Sequence, residues 1–324
     1  MVQLTDLTFG AAGAGGPGAT PEALTAAREL AARAEAADGT PPVSDQAMLA
    51  VANGQRTLLL FGDAAAPGAE PIALGIIGEG ELDLVVQPEA RGRGVGRAAL
   101  IALLARHELG PGPLRAWAHG ENPAATSLLE RAGFAPVRSL YRMGLDPHLL
   151  PGDARDPLRL APGGLALHTF GQGANDAADW VRVNAAAFAT HPEQGRMTEE
   201  DLALLRQEPW FDAGDLILLS DAHGDVIGST WLKTVRDAAS GAVDTELYAL
   251  AVHPESAGRR LGRLLLDVTL ARMAQHSPRT VTLYVDGDNA RAVRLYETAG
   301  FTIDSRSRQW EAGGHAAADA RMGA

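Results

Sequence analysis

Two loops rich in arginine and glycine each follow a short apolar run and precede a segment with helical apolar spacing. The first is Gly92-Arg93-Gly94-Val95-Gly96-Arg97, led by Arg91 and preceded by Leu84-Val85-Val86. The second is Ala257-Gly258-Arg259-Arg260-Leu261-Gly262-Arg263, preceded by Leu250-Ala251-Val252. Glycine lets a backbone approach a ligand closely, the free N–H groups of a helix start point outward, and the helix dipole favours negative charge. The chemistry is anion binding, and a pyrophosphate fits it. One such loop alone reads as a solvated turn, but here each is followed by an Asn and then by Ala-Gly-Phe at nearly equal distance. Neither loop has the Gly-x-Gly-x-x-Gly series of a dinucleotide fold.

The elements that must hold these loops are legible around them. LDLVVQPEARGRGVGRAALIALLAR from Leu82 matches YALAVHPESAGRRLGRLLLDVTLAR from Tyr248 when aligned on Pro88 and Pro254. ENPAATSLLERAGF ending at Phe134 matches DNARAVRLYETAGF ending at Phe301. Matched blocks in register signal a duplicated fold. In the first copy, Thr20-Pro21-Glu22 starts an Ala-rich helix to about Ala37, and Ser44 caps a second to Ala52. Strands are expected over Thr57–Phe61, Ile72–Ile77 and Glu81–Val86. In the second copy, a strand starts at Leu165 and helices fall between Asp176 and Gln207. A hairpin follows at Leu216–Leu219 and Val226–Val235, then a strand at Glu246–Val252. Proline and glycine crowd residues 146–164, which places a linker over 151–163 between domains 1–150 and 164–324. The stretch from Gly10 to Thr20 and the tail after Gly314 are expected to be poorly ordered.

Composition narrows the function. A chain of 324 residues with 46% hydrophobic and 21% charged residues suits two folded domains. A net charge of -12 opposes binding to nucleic acid. The absence of Cys excludes disulfides, a thiol nucleophile and thiolate metal sites, and fits a reducing, cytoplasmic setting. No apolar stretch approaches a membrane span and no secretory leader is evident. A soluble monomer without a metal, acting on a small anionic ligand, is expected.

The loops and the Asn–Ala-Gly-Phe blocks resemble the GNAT family of acetyltransferases, whose acetyl-CoA loop reads Gln or Arg, two residues, Gly, one residue, then Gly or Ala. Arg91, Gly94 and Gly96 fit it. In the second loop only Gly262 does, since Ala257 and Arg260 stand at the first and middle positions. The resemblance implies an α/β (α+β) chain of two tandem GNAT domains, each a mixed, mostly antiparallel sheet flanked by helices. It further implies that the strand before each loop splays from its neighbour, so that Leu84 to Val86 and Leu250 to Val252 offer backbone groups to the pantetheine arm. Asn122 and Asn289 then open helices that meet the cofactor, the latter through Ala290, Arg291, Ala292, Val293 and Arg294. A plain helix-cap role suits both asparagines equally.

Acetyl transfer to an amine needs a base for the ammonium proton and an acid for the departing thiolate. The resemblance places the acid at Tyr296, seven residues after Asn289, where the first copy has Leu129. It places the base at Glu246, four residues before Leu250; aligned through the prolines, its counterpart is Gly80, flanked by Glu79 and Glu81. The second domain is therefore the expected catalytic one. HPEQGRMT from His191, WLK ending at Lys233, TELYALAVHP around Glu246 and LYVDGDNARAVRLYETAGF are similar to tandem GNAT enzymes acting on a small thiol-sugar amine. By that similarity Glu193, Lys233, Glu246 and Tyr284 contact the substrate, and Asp45 is the first-domain counterpart. Each also has a plain structural role: a loop acid, a strand-end charge, a sheet aromatic and, favoured for Asp45, a helix-start carboxylate. Another amine acceptor, and a non-catalytic acetyl-CoA-binding module, are the competing readings.

Overall fold

The computed structural model describes residues 4–6, 19–65, 69–106, 112–152, 156–189 and 194–313. Most of the N-terminal stretch from Gly10, the tail from residue 314, and Glu193 lie outside the described residues. Two compact units form: one from the residues up to Leu140 together with those from Ser305, the other from Tyr141 to Asp304.

The first unit contains β1 (Leu4–Asp6), α1 (Pro21–Asp38), α2 (Asp45–Ala52), β2 (Thr57–Asp63), β3 (Ala73–Gly78), β4 (Glu81–Val86), α3 (Val95–Arg106), β5 (Arg115–Ala118) and α4 (Pro123–Arg131). Both expected caps act: Thr20 Oγ1 accepts from Ala23 N–H and Ser44 Oγ from Ala47 N–H. Strands β1 to β5 are neighbours in chain order, antiparallel up to β4 and parallel between β4 and β5. Helices α1 and α2 bury Leu30 and Val51 with Leu60, Leu74, Ile76 and Val85 on one sheet face. Helices α3 and α4 bury Leu103 and Leu129 with Leu59, Phe61 and Leu82 on the other.

The chain leaves this unit within β6 (Phe134–Leu145) and returns within β12 (Thr302–Ala312). The second unit contains β7 (Ala166–Thr169), α5 (Asp176–Ala187), α6 (Glu199–Leu205), β8 (Leu216–Ser220), β9 (Val226–Arg236), β10 (Val243–Val252), α7 (Leu261–His276), β11 (Thr280–Asp286) and α8 (Ala290–Thr298). Its strands run in the order β11-β10-β9-β8-β7, with the end of β6 beside β11. Helices α7 and α8 cover Leu232, Leu247 and Leu283. On the opposite face Trp180 of α5 meets Trp231 of β9 edge-on, ring centroids 5.3 Å apart.

Residues 151–163 were expected to separate the domains. The units instead divide between Leu140 and Tyr141 and between Asp304 and Ser305. The cause lies at the C-terminus: β12 pairs antiparallel with β5 from Arg308↔Ala118 to Glu311↔Arg115, and Trp310 is buried in the first unit's core. A division into contiguous ranges cannot express a strand that returns.

Candidate functional site

In both units the parallel strand pair opens just before the arginine- and glycine-rich loop. Strands β10 and β11 pair from Asp244↔Thr280 to Leu247↔Leu283, while β10 continues to Val252 and β11 to Asp286. Strands β4 and β5 pair at Glu81↔Arg115 and Leu82↔Ala116, while β4 continues to Val86. Leu250–Val252 and Leu84–Val86 therefore lie beyond the last parallel pair, still bonded on their other side to β9 and β3. In each unit the two strands part beyond those pairs, the splay expected from the sequence.

The loops beyond the splits share one backbone course. Each begins with a short 3-10 turn, Pro88–Ala90 or Pro254–Ser256, and ends at the first residue of a long helix, Val95 or Leu261. Gly92 (φ 72°) and Gly94 (φ 85°) are left-handed, and so are their counterparts Gly258 (φ 83°) and Arg260 (φ 59°). A Cβ at Gly262 would meet Leu295 Cδ2 at 3.6 Å, ordinary contact, which suits a position open to Gly or Ala. The departures at Ala257 and Arg260 thus leave the second loop's shape intact. They change its side chains: in the first unit Arg91 Nε donates to the Val86 carbonyl at 3.1 Å, and its two terminal nitrogens reach Asp38 at 2.6 and 2.8 Å. Ala257 cannot make either contact. At the start of α8 Asn289 Oδ1 accepts from Ala292 N–H at 3.1 Å, and Asn122 does the same for Ala125 at 2.9 Å, so the cap role of both is realised.

Around the second split, three sequence-predicted residues share a sheet face. Glu246 and Lys233 are direct cross-strand partners, and Thr282 lies beside Glu246 on β11. Leu232, Leu247, Leu283 and Val285 point into the core under α7 and α8. By strand alternation Lys233, Glu246 and Tyr284 point to the opposite face, that of α5. Two further residues that the sequence reading passed over belong there. Lys233 Nζ lies 5.3 Å from the ring centroid of Trp210, and that ring lies 5.2 Å from Tyr248. Tyr248 is the extra residue of a β-bulge: β10 pairs with β9 at Leu247↔Leu232 and resumes at Ala249↔Trp231. The only sequence signal for this group was the gathering of Trp180, Trp210, Trp231 and Tyr248 in one half of the chain.

Tyr296 lies across the sheet from that group. It is 7% exposed among Leu266, Leu283, Val285 and Phe301, its ring 6.0 Å from that of Phe301. Burial pushes its phenol up to about 12. Glu246 and Tyr296 thus lie on opposite faces of the sheet.

The two units differ here, though not as the sequence alignment stated. Matching last parallel pairs, Leu82↔Ala116 with Leu247↔Leu283, makes Glu81 and not Gly80 the counterpart of Glu246. The β3–β4 ladder runs without interruption from Ala73↔Val86 to Gly78↔Glu81, so β4 has no bulge against β3, and counting back from the prolines is off by the bulge residue. The surviving contrasts are Tyr296 against Leu129 and a further one on the α1–α2 face. There Asp83, the first residue past the last pair, holds Arg56 at 3.0 Å, the two side chains 5% and 6% exposed. Beside it, burial holds the imidazole of His119 below its ordinary value against the pull of Asp83. Asp45 is the first residue of α2, next to its cap, as a helix-start carboxylate should be. Among the described residues no group of His, Asp and Glu is arranged to hold a metal ion, and no helix is long and apolar enough to cross a membrane.

Paired splits, loops with two left-handed positions each and Asn-capped helices behind them define a class. The sequence pattern of the acetyltransferase (GNAT) family matches residues 72–134 and 180–301. The chain belongs to the GNAT family and is an N-acetyltransferase. Over nearly its whole length it is similar to proteins named mycothiol acetyltransferase. That of Sanguibacter keddieii is 41% identical over 86% of this chain and 89% of its own, and that of Geodermatophilus obscurus is 40% identical over 90% and 94%. Among solved structures, a tandem GNAT protein from the clavulanic acid biosynthesis pathway shares the fold with a TM-score of 0.64 at 19% identity, covering 97% of this chain and 99% of that one. A GCN5-related N-acetyltransferase from Sphaerobacter thermophilus matches with a TM-score of 0.61 at 21% identity over 91% and 93%.

Proposed function

We propose that the second unit transfers the acetyl group of acetyl-CoA to the cysteinyl amine of desacetylmycothiol, giving mycothiol and CoA. What supports this reading is that Glu246 and Tyr296 lie on opposite faces of the sheet whose strands β10 and β11 part beyond Leu247↔Leu283. The names of the relatives supply the acceptor. Acetyl-CoA lays its pyrophosphate on the loop from Ala257 to Arg263 and its pantetheine arm along Leu250–Val252. The loop's left-handed positions and the opened strand fit those two parts of the molecule.

The acceptor arrives as an ammonium and yields one proton to Glu246, directly or through a water. The freed lone pair attacks the thioester carbonyl carbon. As the carbon–sulfur bond breaks, the nitrogen releases its second proton to solvent, and the thiolate takes the proton of Tyr296. A phenol raised to about 12 remains protonated at neutral pH and holds that proton ready; the phenolate left behind is reprotonated from solvent. Glu193 joins Glu246 in attracting the cationic amine, Lys233 and Tyr284 contact the rest of the acceptor, and Asp45 is the first unit's counterpart. The first unit keeps a carboxylate at Glu81 but has Leu129 for the phenol, and it buries the cation of Arg56 on the face where an ammonium would arrive. We assign it no catalysis.

The test is turnover. The purified chain with acetyl-CoA is offered desacetylmycothiol, an aminoglycoside and a peptide with a free N-terminus in separate reactions, and CoA release is followed. Desacetylmycothiol is expected to be the acceptor used. Turnover of either other amine with none of desacetylmycothiol would overturn the assignment.

A further inference from the structure

Lys233 is the only lysine of the chain, and its ammonium lies over an indole that no part of the reaction described above uses. The indole belongs to Trp210, in the loop between α6 and β8. That loop is fixed from several sides. Gln207 N–H donates to the Leu204 carbonyl, Glu208 N–H to that of Leu205 and Phe211 N–H to that of Glu208, while Asp212 accepts from Gly214 N–H. The ring packs 5.6 Å from Trp231, which is fully buried and backed by Trp180 and Phe211. Trp210 is therefore the half-buried end of a rigid aromatic stack.

A lysine ammonium on a four-carbon stem loses about 2 kcal/mol of rotamer freedom when it is pinned. It recognises a ligand well only when something else has already restrained it. Beside Lys233 on the sheet, the cross-strand partner Glu246 offers charge. Trp210 offers a fixed face, electron-rich at the centroid, which attracts a cation without neutralising it and so leaves its hydrogens able to donate. We propose that Trp210 is a positioning residue that sets where Lys233 presents its ammonium to the acceptor, so that this loop tunes recognition of the headgroup. The proposal rests on the reading of Lys233 as an acceptor contact.

A single lysine makes the test direct. Reductive methylation with 13C-formaldehyde labels only Lys233 and the terminal amine, and the lysine signal reports the ring current of Trp210 whether or not the enzyme turns over. Trp210→Leu is expected to remove that shift and to raise the KM for desacetylmycothiol roughly tenfold, the scale of a cation–π contact. The KM for acetyl-CoA should not change, and Trp210→Phe should restore most of both effects. In a Lys233→Gln background, Trp210→Leu should add little. An unchanged lysine signal, equal loss in both KM values, or full additivity of the two substitutions would overturn the proposal. A Lys233→Gln enzyme with an unaltered acceptor KM, or an unsubstituted enzyme that ignores desacetylmycothiol, would instead remove the functional reading, while the labelled signal still decides whether the ring holds the ammonium.

Discussion

Arg260 holds the left-handed backbone conformation that Gly94 holds in the other unit, φ 59° against 85°, each at the last position before its helix. For a residue with a Cβ that conformation costs about 1–2 kcal/mol, a strain that persists where the surroundings demand it. Replacing Arg260 with Gly relieves the strain but adds freedom to the unfolded chain worth about 0.5–1 kcal/mol. Arg260→Gly should therefore raise stability by about 0.5 kcal/mol net, while Arg260→Val, which tolerates the conformation least, should lower it by about 1–2 kcal/mol. Urea unfolding of the two variants side by side checks the ordering. A Val variant as stable as the Gly variant would show that the loop does not hold this conformation.

Asp215 anchors the end of β9 next to Lys233. Its buried carboxylate accepts from Thr234 Oγ1 at 2.8 Å and Arg272 Nε at 2.7 Å, with His276 Nε2 at 2.8 Å. Burial pushes this carboxyl up, but the hydrogen bonds from His276 and Thr234 and the charges of His276 and Arg272 outweigh it and hold the group below its ordinary value. A carboxyl depressed on folding stabilises the fold above its unfolded value, near 3.9, and that stability is lost as pH falls through the lower folded value. Asp215→Asn should cost about 3 kcal/mol at pH 7, since it takes the buried carboxylate acceptor away from half-buried Arg272 and from His276. Measured by thermal melting, the gap between the natural chain and the variant should narrow below about pH 4. A gap that widens there would reverse the assigned sign.

Most of what positions the site was readable in the residues, because it depends on local signals. The duplication, both loops and both caps at Thr20 and Ser44 were found from short-range pattern, and the helices they begin appear where expected. What escaped depends on pairing between distant segments. Strand β12 carries Asp304, Ser305, Arg306, Ser307 and Arg308, too polar to announce a strand, and its place beside β5 comes from residues almost 200 positions away. The bulge at Tyr248 is likewise invisible without β9 beside it, and it shifted the counterpart of Glu246 from Gly80 to Glu81. The ring contacts of Trp210 with Trp231 and Tyr248 are likewise set by tertiary packing.

Tyr296→Phe removes one hydroxyl from an apolar cluster. The melting temperature should stay within about 1 kcal/mol equivalent of the natural chain, as for a near-isosteric change. Loss of a positioned proton donor should lower kcat about 100-fold. With the phenol raised to about 12, kcat of the natural enzyme should show no alkaline fall from this group below about pH 10. Above that pH stability should decline, because ionising the buried phenol is penalised only in the folded state. A kcat unaffected by the substitution would remove Tyr296 from the mechanism.

The comparison of Glu246 with Glu81 decides which unit does the chemistry. Both stand one residue before the last parallel pair of a splayed strand, so a carboxylate there is not by itself enough. Glu246→Gln should lower kcat by about 100-fold or more while sparing the fold. Glu81→Gln should leave kcat unchanged, its effect confined to stability through the hydrogen bond it accepts from Gln309 Nε2 at 3.3 Å. Adding Leu129→Tyr to the Glu246→Gln enzyme should not restore turnover. The first unit would then have both a carboxylate and a phenol, but its strand still lacks the bulge, and Arg56 still occupies the acceptor face with its buried charge. Restored turnover in that double variant would show that the missing phenol alone keeps the first unit silent, and the assignment of catalysis to the second unit's geometry would fall.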